Sequence, residues 1–110
     1  MNDPLQPREC ARLLKVLADP ERLRIIRCLS ERPRSVGEIA ALLDAPMVNV
    51  SHHLGVLRQA HLVEDEKQGR FVIYRLNPAV YQPGKEGATE HLDLGCCRLE
   101  IPKPNGEDEG

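Results

Sequence analysis

The sequence predicts a mainly α domain closed by a β-hairpin, and three observations carry that prediction. Apolar residues recur at helical spacing through the first sixty positions. Two cap signals, Asp19-Pro20 and Ser35-Val36-Gly37-Glu38, cut that stretch into short helices. Phe71–Leu76 then alternates with period two behind a turn containing Gly69. At 110 residues, 41% hydrophobic and 29% charged, the chain is one domain's worth, with one modest core.

Residues 4–18 read as the first helix, with Cys10, Leu13, Leu14 and Leu17 on one apolar stripe. Asp19 caps a second, about 20–30, expected to bury Leu23, Ile26 and Leu29 while Arg22, Arg24 and Arg27 lie to the other side. The capping box at Ser35 opens a third helix carrying Val36, Ile39, Ala40 and Leu43, and Asp44-Ala45-Pro46 is a tight turn. In the fourth helix, roughly 46–60, about 100° per residue clusters Val50, Leu54 and Leu57 toward the core. Val48, His52, Gly55 and Gln59 then point away, Asn49 and Ser51 flank them, and His53 is a packing residue; His61 is expected to cap carbonyls at the helix end. Leu62–Glu66 and Phe71–Leu76 read as strands joined by Lys67-Gln68-Gly69-Arg70. Residues 78–90 read as a loop or linker, and a short apolar island from Leu92 to Ile101 contains Gly95-Cys96-Cys97.

This order of elements is that of a winged helix-turn-helix, mainly α with a β-hairpin wing. Residues 1–77 form the winged-helix unit with an N-terminal dimerisation helix, and 78–110 a C-terminal extension with an acidic end. Net charge is −2, but residues 1–83 hold 12 Lys and Arg against 10 Asp and Glu, whereas 84–110 hold 3 against 7. A mildly basic body permits a polyanionic partner without demanding one. In such a fold the second helix of the pair shows its polar N-terminal face to the major groove, and Lys67 and Arg70 can meet phosphates beside it or the minor groove. Catalysis finds no support: there is no Cys-x-x-Cys, no nucleophile with a recognisable base and no glycine-rich phosphate loop. No apolar run approaches the ~18 residues a membrane span needs. Met1-Asn2-Asp3-Pro4 lacks the regions of a signal peptide. The expectation is a cytoplasmic protein with no membrane partner and four reduced cysteines rather than a disulfide framework.

Four stretches resemble the bacterial ArsR/SmtB family: Leu17-Ala18-Asp19-Pro20-Glu21-Arg22-Leu23-Arg24-Ile25-Ile26, Ser35-Val36-Gly37-Glu38-Ile39-Ala40, Val50-Ser51-His52-His53-Leu54-Gly55-Val56-Leu57-Arg58 and Gly69-Arg70-Phe71-Val72-Ile73-Tyr74-Arg75-Leu76. The resemblance covers roughly residues 9–77. It implies homodimeric repressors that leave double-stranded operator DNA when an inducer, usually a soft or transition metal ion, binds. It also implies that helix 46–60 is the recognition helix, making Val48, Asn49, Ser51 and His52 candidate DNA contacts.

The chain departs from two of the family's usual metal sites. Ile39-Ala40-Ala41-Leu42-Leu43 holds no Cys-x-Cys pair, and His91 and Asp93 are the only residues toward a C-terminal zinc site. The remaining suspects are cysteines. Taken alone, Cys10 on its apolar stripe reads as a small buried hydrophobe, and Cys28 as a spectator. Cys96 and Cys97 are either a ligand pair for arsenite, antimonite, Cd, Pb, Zn or Cu(I), or structural cysteines closing a hydrophobic cluster; the resemblance implies that the first helix and the C-terminal segment meet across the dimer, which would bring Cys10 in as the third thiolate. No resident cofactor is required; arsenite or another thiophilic metal ion is the expected inducer. Two alternatives stand beside this: a redox switch in which Cys96 and Cys97 oxidise, and a winged-helix protein-interaction module without DNA binding.

Overall fold

The computed structural model describes residues 7–84 and 89–101. Four helices come first: α1 (Pro7–Leu17), α2 (Pro20–Glu31), α3 (Val36–Leu43) and α4 (Met47–Gln59). Their boundaries follow from side-chain chemistry. The Asp19 carboxylate accepts from the backbone N–H groups of Glu21 and Arg22 at 2.8 and 3.2 Å, with Pro20 in the first turn where its missing N–H costs nothing. At α3 the capping box is complete: Ser35 Oγ accepts from Glu38 N–H and Glu38 Oε1 from Ser35 N–H. Both helices of the α3–α4 pair end in Schellman turns on a left-handed residue that is not glycine. Asp44 (φ 55°) donates to Ala41 O and Ala45 to Ala40 O; His61 (φ 62°) donates to Arg58 O and Leu62 to Leu57 O. His61 therefore caps α4 through its backbone.

Two antiparallel three-stranded sheets complete the described residues. In the first, β1 (Arg34–Ser35), β2 (Val63–Gln68) and β3 (Phe71–Leu76) lie in the order β1-β3-β2, with Val63 opposite Leu76 and Gln68 opposite Phe71. The β2–β3 hairpin is the wing. Its turn is the dipeptide Gly69-Arg70, with Gly69 at φ 64°, so Lys67 lies within the strand rather than in the turn. The second sheet, β4 (Tyr81–Gln82), β5 (His91–Asp93) and β6 (Arg98–Glu100), occupies ground expected to be loop and island. Among the described residues the C-terminal segment is thus extended, not helical.

One core joins these parts: Leu13, Leu17, Ile25, Ile26, Leu29, Ile39, Leu43, Val50, Leu54, Leu57, Leu62, Val63 and Leu76 pack with Leu92 and Ile101 from the second sheet. Truncating a fully buried member such as Leu54 to Ala costs about 2–5 kcal/mol. The expected α2 stripe needs correction. Ile25, Ile26 and Leu29 are buried, but Leu23 is 43% exposed. The core-facing stripe runs through Ile25 and Leu29, four apart, which turns Leu23 to the rim. Leu14 is likewise 45% exposed beside buried Leu13 and Leu17. The first helix begins at Pro7, and its expected start at residue 4 lies outside the described residues.

Candidate nucleic-acid interface and cysteine cluster

The candidate recognition face is built by burial of its opposite side. Val50, Leu54 and Leu57 are almost wholly buried, which leaves Val48 (73% exposed), Asn49, Ser51 and His52 together in solvent at the N-terminal half of α4. Pro46 is the N-cap and offers no side-chain cap; its carbonyl accepts from the N–H groups of Asn49 and Val50 at 3.0 and 3.2 Å. His53 plays a different part, as its angular position predicts. It is half-buried, and its Nδ1 accepts from Arg22 Nε at 3.1 Å. The two adjacent imidazoles have centroids 5.7 Å apart and ring planes tilted by 57°.

The wing supplies the second half of the surface. Lys67 and Arg70 are exposed at its tip, with Phe71 58% exposed beside them, a residue that sequence reasoning passed over. Its parity in the strand carries the signal: Phe71 shares a face with Ile73 and Arg75, away from core-packed Tyr74 and Leu76. The stem is acidic and self-neutralising. Arg75 meets Glu64 at 3.5 Å and Glu66 at 2.9 Å, and Arg58 meets Asp65 at 3.8 Å, linking α4 to the wing. Positive charge at the wing is therefore concentrated at its tip.

On the C-terminal side, Leu94-Gly95-Cys96-Cys97 turns β5 into β6. Leu94 N–H donates to Cys97 O at 2.9 Å, Gly95 N–H to Asp93 Oδ1 at 3.0 Å, and Gly95 takes φ 91°. This turn sits against α1. The sulfurs of Cys10, Cys96 and Cys97 all lie within 4.8 Å of one another, the only such cluster of metal-ligating side chains among the described residues. The donor set is all sulfur, which suits soft ions and not hard ones. Cys10 and Cys96 are joined as a disulfide with their Cα atoms 6.0 Å apart, so the expectation of four reduced cysteines does not hold for this pair. That expectation came from the compartment; the pairing comes from a turn that lays Cys96 on the Cys10 face of α1. Cys28 stands apart, packed against the core, and burial pushes its thiol pKa up.

The comparisons with known proteins agree with this geometry. A helix-turn-helix domain family matches residues 17–66. Over 70 residues the chain is 34% identical to the transcriptional repressor SdpR of Bacillus subtilis, covering 64% of this chain and 78% of that one. It is 42% identical over 69 residues to the arsenical resistance operon repressor of Escherichia coli, covering 62% and 59%. Reduced HlyU from Vibrio cholerae superposes with a TM-score of 0.62 at 34% identity, over 64% of this chain and 75% of that one. A homodimeric winged helix-turn-helix domain from Mycobacterium bovis superposes with the same score at 31% identity, over 64% and 66%. The molecule is a winged helix-turn-helix transcription regulator, not an enzyme. It belongs to the ArsR/SmtB family of DNA-binding repressors.

Proposed function

We propose that the chain is a homodimeric repressor that binds double-stranded operator DNA and is released when Cys10, Cys96 and Cys97 take up arsenite or another thiophilic ion. The observation that carries this reading is the pairing of two surfaces in one fold: a polar recognition face with a basic wing tip, and a three-sulfur cluster. In this reading residues 1–77 hold the DNA-binding unit, and the 78–110 extension brings the sensing sulfurs to the first helix. Val48, Asn49, Ser51 and His52 meet the major groove; Lys67 and Arg70 meet phosphates. The dimer seam runs over exposed Leu14 and Leu23 and the neighbouring cleft of about 220 Å³, which Leu23, Ile26, Leu99 and Ile101 also line. No described helix is long and apolar enough to cross a membrane, which fits a cytoplasmic regulator.

Coupling follows from placement. Cys10 lies on the helix of the seam, so an ion that draws Cys10, Cys96 and Cys97 together favours one setting of α1, and through it one separation of the two recognition helices. A coupling of about 1–3 kcal/mol changes DNA affinity 5–150-fold. The test is fluorescence anisotropy on the duplex upstream of the protein's own gene, under reducing conditions, with and without arsenite. Salt-dependent binding that arsenite weakens is expected, because phosphate contacts release counterions. A Cys96→Ser/Cys97→Ser double variant should bind the duplex and ignore arsenite; a response equal to the parent's places the sensor elsewhere.

A further inference from the structure

The cysteine cluster holds two kinds of sulfur. Cys10 Sγ and Cys96 Sγ are bonded to each other, while Cys97, the exposed member, keeps a free thiol with its Sγ 3.9 Å from that of Cys96. A soft ion is held by thiolates; a sulfur in a disulfide has no thiolate to offer. With the bond closed, two of the three donors are withdrawn.

We propose that the Cys10–Cys96 bond is a redox gate on the ion site: closed by a hydroperoxide it makes the protein blind to soft ions, and opened by a dithiol reductant it restores three thiolates. The proposal rests on the reading of Cys10, Cys96 and Cys97 as the ligand set. The Cys96 thiolate attacks the peroxide oxygen, an S–O bond forms as the O–O bond breaks, and the alcohol or water leaves with a proton. Cys10 thiolate then attacks the sulfenic sulfur, the S–S bond forms, and hydroxide leaves as water; two electrons have passed from two thiols to the peroxide. In opening, one thiolate of the dithiol attacks the disulfide and its second thiol resolves the mixed disulfide. Cys10 and Cys96 return as thiols, and the dithiol becomes the disulfide.

The fold lets the gate open without scattering the ligands. Leu92 and Ile101 anchor the second sheet in the core on either side of the turn, and the Leu94–Cys97 and Gly95–Asp93 hydrogen bonds shape the turn from within. None of these contacts involves the sulfurs of the cross-link. Cys28 is outside the cluster.

The test divides one preparation. Half is reduced with a phosphine and desalted; half is treated with hydrogen peroxide, and the Cys10–Cys96 link is verified by peptide mapping. Each half is titrated with Cd(II), followed by thiolate-to-metal charge-transfer absorbance, and with arsenite, followed by native mass spectrometry. The reduced half should take up one ion per chain, the oxidised half none over the same range, and phosphine should restore uptake. Equal uptake by both halves overturns the gate alone. No uptake by either overturns the ligand reading and the gate with it. A map showing Cys96 linked to Cys97, or Cys28 in the cross-link, also overturns the gate. Cys28→Ser should keep the full difference between halves; its loss in that variant assigns the effect to Cys28 and ends the proposal.

Discussion

Arg22 Nε donates to His53 Nδ1 at 3.1 Å, and the same guanidinium donates through Nη1 to the Val16 carbonyl at 3.1 Å. One side chain from the first turn of α2 thereby ties the end of α1 to the middle of α4. This bond sets how the recognition face is carried on the rest of the domain, and it explains why His53 and His52, neighbours in sequence, should respond differently to mutation. His53→Ala is expected to lower unfolding free energy by about 1 kcal/mol, the ordinary net worth of such a bond. His52→Ala should leave it unchanged. Chemical denaturation of the two variants side by side decides the matter: equal midpoints would mean the Arg22–His53 bond holds nothing.

On DNA the order reverses. His52→Ala or Asn49→Ala should relax sequence preference, a good base contact being worth roughly 1–3 kcal/mol against the wrong base. Lys67→Ala or Arg70→Ala should weaken binding to every sequence and reduce the slope of log affinity against log salt by about one. Anisotropy on a duplex panel at several salt concentrations separates the two patterns, and an unchanged slope in Arg70→Ala would remove the wing tip from the interface.

Arg34 is the one buried charged side chain among the described residues. Its Nε donates to Cys28 O at 3.1 Å, completing the end of α2, and its Nη2 pairs with Glu31 at 2.7 Å. Arg34→Ala strands the carbonyl and is expected to cost about 1–3 kcal/mol. Arg34→Lys keeps the charge but lacks the planar fork that reaches both partners at once. It should fall between wild type and Ala in the same denaturation experiment.

The Cys10–Cys96 link spans a sequence separation of 86 residues. In the chain-entropy account, opening a loop of that size lowers stability by up to about 4.5 kcal/mol. Denaturation with and without a phosphine should show this loss, and Cys10→Ser should match the reduced parent in both conditions. A reduced parent as stable as the oxidised one would show that the second sheet is held by its core residues alone.

Acid should loosen the helix starts. The backbone N–H of Arg22, with that of Glu21, holds the Asp19 carboxyl below its ordinary value. The backbone N–H of Ser35, then Arg32, does the same for Glu38. A carboxyl with a depressed folded pKa contributes stability that is present above its unfolded value, about 4, and is lost as pH falls through the folded one. Stability measured downward from pH 5 should therefore decline, and Asp19→Asn with Glu38→Gln should flatten the decline.

Most of the helical half is legible in the sequence because its signals are local. The Asp19 and Ser35 caps, the Asp44 turn and the Val50, Leu54 and Leu57 stripe each depend on residues within a turn or two of one another. Leu23 and Leu14 are misjudged for the opposite reason. A stripe of three or four apolar residues gives a helix face to within a residue or so, and only the neighbours decide which edge member meets solvent. The second sheet is harder still: β4, β5 and β6 are two or three residues each, too short for alternation to register. Cys96 and Cys97 draw notice by their adjacency, whereas Cys10 by itself reads as a core residue. That the three sulfurs meet within a single chain depends on the path of that sheet, which no local pattern records.

Leu92 and Ile101 sit in the same core as Ile25, Ile39 and Leu54. The DNA-reading and sulfur-bearing parts of the chain should therefore unfold in one cooperative transition. Whatever binds the native sulfurs must then raise the melting temperature of the recognition helix as well, by mass action: about 2.7 kcal/mol when free ligand stands at 100 times its dissociation constant. A calorimetric screen of candidate ions over the reduced protein thus reports on the inducer with no operator sequence in hand.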